Sequence, residues 1–107
     1  MKQYYTNYVS HCLRYYARHP EPVFKTQAER KDWEACDRAL KKWNDKTREW
    51  LTLVYKAPRD AAGNYRYENS MNDCVVTVSE ITGISTNAIW KELKALEREV
   101  AVERGLL

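Results

Sequence analysis

Asn87, Lys91, Lys94 and Arg98 recur at intervals of four, three and four residues, the spacing that aligns side chains in one row on an α-helix. An asparagine amide can pair bidentately with adenine, a lysine can donate to guanine O6 and N7, and either cation can hold a phosphate. At roughly 100° per residue, Ile89, Leu93, Leu96 and Val100 fall within about 60° of one another on the opposite side. The basic row contains no acid, although Glu92, Glu97, Glu99 and Glu103 crowd its flanks in a segment that is otherwise negative. A solvated outer face can have the same look, so the residues that precede the row must decide what it is for.

Those residues run Val78-Ser79-Glu80-Ile81-Thr82-Gly83-Ile84-Ser85-Thr86-Asn87-Ala88-Ile89. A small Ser79 lets two helices approach, Gly83 accepts a left-handed turn, Ile84 plugs the angle, and Ser85 or Thr86 caps a helix anchored by Ile89. This order predicts a helix-turn-helix over about residues 77–104, with its second helix free to enter a DNA major groove. Trp90 borders the groove-facing side, where it could stack or touch a thymine methyl, or serve instead as a core or dimer contact.

The elements that must position this row are helical. Tyr5, Val9, Cys12, Leu13 and Tyr16 mark one face of a first helix from Tyr4 to Arg18, which His19-Pro20-Glu21-Pro22 stops. Tyr4, Tyr8 and Tyr15 form an adjacent row, either a wide core contact or a partner or dimer surface. Thr26-Gln27-Ala28-Glu29 has the form of a capping box, and Trp33, Cys36, Leu40 and Trp43 succeed it at helical spacing. Asn44-Asp45 can cap a third helix over Lys46 to Lys56, with Trp50, Leu51, Val54 and Tyr55 on its buried side. Ala57 to Asp73 reads as a long loop or an irregular hairpin through Tyr65-Arg66-Tyr67. The β-branched run Val75 to Val78 could open as a strand, but a helix from near Thr77 to Thr82 suits the glycine turn at Gly83 better. A last helix spans about Thr86 to Arg104, closed by Gly105 with Leu106 behind it. The expected fold is all-α, about five helices ending in the helix-turn-helix. It forms one domain over 1–107, in which a Tyr-rich helix and its proline-containing connection (1–24) precede the remainder (25–107).

Composition agrees and excludes other classes. The chain has 107 residues, 44% hydrophobic, with only 3 Gly and 3 Pro, which fits a single core of long helices and neither disorder nor collagen. Net charge is +3, but residues 1–56 carry 12 basic and 7 acidic side chains against 6 and 8 in residues 57–107, so position rather than quantity of charge must identify an anionic partner. No apolar run approaches the roughly 18 residues of a membrane span, and the first residues lack the apolar stretch of a secretion signal, so the cytoplasm is the expected compartment. Cys12, Cys36 and Cys74, odd in number and without a CxxC pair, read as reduced, buried thiols. His11 and His19 lie eight residues apart with no HExxH, Gly-rich phosphate loop or GxSxG, so no catalytic, metal or cofactor site and no small-molecule substrate is expected. His11 reads as a partly exposed helix residue and His19 as one that complements a helix C-terminus.

Lys46-Thr47-Arg48-Glu49-Trp50-Leu51-Thr52-Leu53-Val54-Tyr55, the turn motif, then Ala95-Leu96-Glu97-Arg98 and Glu103-Arg104-Gly105-Leu106 resemble the region-4 domain of sigma factors. In their order they are more similar to the small phage and mobile-element transcriptional regulators of the ArpU and RinA type. The resemblance covers about residues 33–107; the long 57–73 connection, Ser79, Thr82 and the Tyr-rich first helix depart from it. It implies that Thr86, Asn87, Trp90 and Lys91 face base edges and that Lys94 and Arg98 lie nearer the backbone; Ser85, a candidate cap of this helix, joins them as an expected DNA-binding residue. Lys41, Lys42, Lys46 and Arg48 are further candidates for phosphates, or plain solvated cations. Double-stranded DNA is then the expected partner, bound by a homodimer or beside RNA polymerase. The alternative is a protein-binding module, such as a phage factor acting on a host protein, that keeps the helix-turn-helix as scaffold and works through the tyrosines.

Overall fold

The computed structural model describes residues 2–56 and 71–107, which form five α-helices and no strand. They are α1 (Gln3–Arg18), α2 (Gln27–Leu40), α3 (Asp45–Tyr55), α4 (Met71–Thr82) and α5 (Thr86–Arg104). The all-α expectation holds among these residues. The expected 57–73 connection lies outside them except at its end, where residues 71–73 are helix.

Local chemistry fixes most boundaries. Thr26 Oγ1 accepts the Glu29 amide at 3.2 Å and the Glu29 carboxylate accepts the Thr26 amide at 3.3 Å, so the capping box forms and α2 starts one residue later. Asn44 Oδ1 caps α3 by accepting the Thr47 amide at 2.8 Å. At the end of α5, Gly105 takes a left-handed φ of 83°. That conformation lets the Leu106 amide reach the Ala101 carbonyl at 2.8 Å and sets Leu106 against the core. The His19 ring sits at the end of α1, its Nδ1 2.9 Å from the Tyr15 carbonyl and its plane stacked on the Tyr15 ring. His11 is exposed on α1.

Two expectations are corrected. α4 begins at Met71, six residues before the expected start near Thr77. Cys74, Val75, Thr77 and Val78 are buried along one side of it, and burying each aliphatic chain contributes about 1.5–3 kcal/mol, which outweighs the tenths that β-branching costs a helix. The Thr77 hydroxyl, fully buried, donates to the Asp73 carbonyl at 2.9 Å. Trp43 lies beyond α2, which ends at Leu40, and its indole N–H donates across to Glu92 on α5 at 2.7 Å.

One core draws on all five helices: Val9 and Leu13 from α1, Cys36 and Leu40 from α2, Leu51 and Val54 from α3, Val75 and Val78 from α4, and Ile89, Leu93, Leu96 and Val100 from α5. The four apolar residues of α5 are at most 1% exposed, so the stripe expected to anchor that helix does so. All three thiols are buried, and burial pushes the Cys12 thiol up to about 12. No helix among the described residues is long and apolar enough to cross a membrane.

Candidate nucleic-acid interface

The connection between α4 and α5 is three residues, 83–85, held by short hydrogen bonds. Gly83 adopts φ 77° and its amide donates to the Ser79 carbonyl at 2.8 Å. Ser79 has a use beyond its size: its hydroxyl donates to the Ile84 carbonyl at 2.6 Å. Thr82 Oγ1 donates to the Val78 carbonyl at 2.7 Å and accepts the Ile84 amide at 3.2 Å, so a hydroxyl does at this position what an apolar side chain could not. Ile84 packs against the core, and Ser85 Oγ caps α5 by accepting the Ala88 amide at 3.2 Å.

On α5 the two kinds of charge are separated. Asn87, Lys91, Lys94 and Arg98 are all exposed. Among the described residues none of the four makes a hydrogen bond or an ion pair. Each acid of the helix, by contrast, is engaged with another helix or turn. Glu92 accepts from Trp43, Glu99 pairs with Lys42, and Glu103 pairs with Arg38 at 3.1 Å and Lys42 at 3.3 Å. The hydrogen bond to Glu99 raises the Lys42 ammonium, and Arg38 first, then Lys42, lowers the Glu103 carboxyl.

Glu97 is the acid whose place sequence reasoning missed. It is 8% exposed, and its Oε1 accepts from the Tyr55 hydroxyl at 3.0 Å and from the Ser10 hydroxyl at 3.3 Å. Burial raises its carboxyl above the ordinary range, while those two hydroxyls pull in the opposite direction. The signal was present at low contrast, since Glu97 sits beside Leu93 and Val100 on the helical wheel.

The other expected residues divide. Ser85 is exposed, Thr86 half-buried, and Trp90 half-buried and packed against the core, at the border between the apolar stripe and the exposed ridge. Trp90, Lys94 and Arg98 line a groove of about 520 Å³ whose far wall is Gln3, Thr6, Asn7 and Ser10 of α1, with Met71 of α4 also on its lining. No role was expected for that wall, although Gln3, Asn7 and Ser10 recur at spacings of four and three.

The three tyrosines of the row differ in how they are engaged. Tyr4 is 72% exposed, but the Tyr8 hydroxyl donates to Asp32 at 2.7 Å and Tyr15 is stacked on His19 at 4.2 Å. Burial first, then the Asp32 hydrogen bond, pushes the Tyr8 phenol up to about 12. Arg104 donates to the same Asp32 oxygen at 2.6 Å, so Tyr8 helps to close α1 and α5 onto α2. Of the further cations proposed for phosphates, Lys41 pairs with Asp37 at 2.9 Å, Lys42 with Glu99, and Arg48 with Asp45, while Lys46 is exposed. Among the described residues no three His, Cys, Asp or Glu side chains converge as metal ligands.

No family model matches the chain, and no curated protein or solved structure is significantly similar to it.

Proposed function

We propose that the protein is a sequence-specific regulator that binds double-stranded DNA, with α4, the 83–85 turn and α5 acting as a helix-turn-helix and α5 lying in the major groove. The type we propose is the phage or mobile-element regulator that the sequence resembles. One observation supports this reading above others: every carboxylate of α5 is held by a partner on another helix or turn, while Asn87, Lys91, Lys94 and Arg98 stand exposed with none among the described residues. A face sorted in this way presents donors and positive charge to a polyanion with no competing acid within it. One such helix spans only a few base pairs, so the reading includes a homodimer on paired half-sites or docking beside RNA polymerase.

The rival reading, a protein-binding module working through Tyr4, Tyr8 and Tyr15, has less to rest on, because Tyr8 and Tyr15 are committed to Asp32 and His19. The test is selection of bound duplexes from a random pool, followed by fluorescence anisotropy at several salt concentrations. An enriched motif whose affinity falls steeply with salt is the expected result. Absence of any enriched motif, with weak binding indifferent to Lys91→Ala, would sink the reading.

A further inference from the structure

The groove between α1 and α5 lies beside the recognition ridge and shares two of its cations. On α1, Gln3, Asn7 and Ser10 fall within about 60° at 100° per residue, a row separate from Tyr4, Tyr8 and Tyr15. Gln3 Nε2 donates to Asn7 Oδ1 at 2.9 Å, which orders both exposed amides and leaves the Asn7 Nδ2 hydrogens unspent. Across the groove stand Lys94 and Arg98, and the Trp90 indole N–H makes no hydrogen bond to the described residues. The groove thus offers donors that a phosphate oxygen can take, at Asn7 Nδ2, Trp90 Nε1, Lys94 and Arg98, beside the acceptor oxygens of Gln3 and Thr6.

One acid also faces this groove. Glu97 forms part of its lining, but Oε1 is occupied by Tyr55 and Ser10 and the residue is 8% exposed. Burial raises its carboxyl, and two cations, Lys94 and Arg98, line the same groove against this one acid.

We propose that α1 completes the DNA surface: the α1–α5 groove seats the sugar-phosphate backbone of the duplex whose major groove receives α5, with Lys94 and Arg98 supplying charge and Asn7 a neutral donor. The inference rests on the DNA reading given above. Continuity argues for a polymer backbone over a small free anion. Lys91 and Asn87 belong to the ridge alone, whereas Lys94 and Arg98 belong to both ridge and groove, so one polyanion laid along α5 reaches the α1 wall.

The test uses the full chain and a duplex enriched from the random pool, with anisotropy measured over a salt series. Asn7→Lys adds a cation at the wall and is expected to steepen the slope of log affinity against log salt by about 0.9, and Gln3→Lys to do the same. Asn7→Asp is expected to weaken binding about fivefold to tenfold at fixed salt. Because Cys12, Cys36 and Cys74 are buried, an Asn7→Cys variant can carry an iron-chelate cleaving reagent, which should cut the duplex backbone beside the enriched motif. If wild type binds and Lys91→Ala flattens the slope, but the position 3 and 7 variants leave slope and affinity unchanged and the tethered reagent cuts nothing, the α1 seat is wrong and the DNA reading stands. If wild type enriches no duplex, both fall together. Melting curves for each variant separate lost binding from lost folding, and Gln3→Lys provides the second arm should Asn7→Lys fail to fold.

Discussion

The Tyr55 hydroxyl donates to Glu97 Oε1 at 3.0 Å inside the core, tying α3 to α5 through a carboxylate that is 8% exposed. Tyr55 is itself 2% exposed, so its hydroxyl has no water to fall back on, and burial with the adjacent Glu97 carboxylate raises the phenol well above its ordinary value. Glu97→Ala leaves this donor without an acceptor and should cost about 1–3 kcal/mol in urea denaturation.

The same pair sets a pH dependence. The folded chain holds the Glu97 proton more tightly than the unfolded chain does, so this group's contribution to stability is greatest below the unfolded value and declines as pH rises through the folded one. Glu97→Gln keeps an oxygen for Tyr55 and Ser10 and removes the decline. The variant should melt higher than wild type near about pH 8 and converge with it near about pH 4. A constant difference across that range would contradict the assignment.

Asp32 Oδ1 accepts from both Tyr8 at 2.7 Å and Arg104 at 2.6 Å. Its bond to Arg104 is the leading cause that raises that guanidinium further. Asp32→Ala removes one acceptor from two half-buried donors on two helices, and a loss of about 1–3 kcal/mol is expected in chemical denaturation. Tyr8→Phe, which gives up a single bond, should cost less, about 0.5–1.5 kcal/mol.

Gly83 separates conformation from packing. Its φ is 77°, and a methyl group added there would meet nothing within 4 Å, so Gly83→Ala should cost about 1–2 kcal/mol through the backbone alone. Gly83→Asn, which tolerates the left-handed region, should retain most of that stability. Equal losses for the two would mean that something other than φ is at work.

Should α5 enter DNA, Lys91→Ala with Lys94→Ala should reduce the salt slope by about 0.9 for each phosphate no longer neutralised. Asn87→Ala should relax preference at one base position by about 1–3 kcal/mol while leaving the slope nearly unchanged. The two effects are read from one anisotropy series on matched and single-mismatch duplexes.

Sequence alone determined whatever is settled within a few residues. Thr26 with Glu29, Asn44, Gly83, Ser85 and Gly105 place helix ends because a cap or a left-handed turn is satisfied by the backbone amides beside it. The 3.6-residue period likewise foretold that Ile89, Leu93, Leu96 and Val100 would be buried and Asn87, Lys91, Lys94 and Arg98 left outside. Tertiary structure decided what depends on distant partners. Whether Glu97 is a surface acid or a buried acceptor is decided by Tyr55, 42 residues away, and the half-buried Tyr8 is tied down by Asp32, 24 residues away. Trp90 packed against the core, α4 began early, and the polar wall of α1 came to stand opposite Lys94 for the same reason. Burial rewards whichever face meets another helix, and periodicity names that face without naming its neighbour.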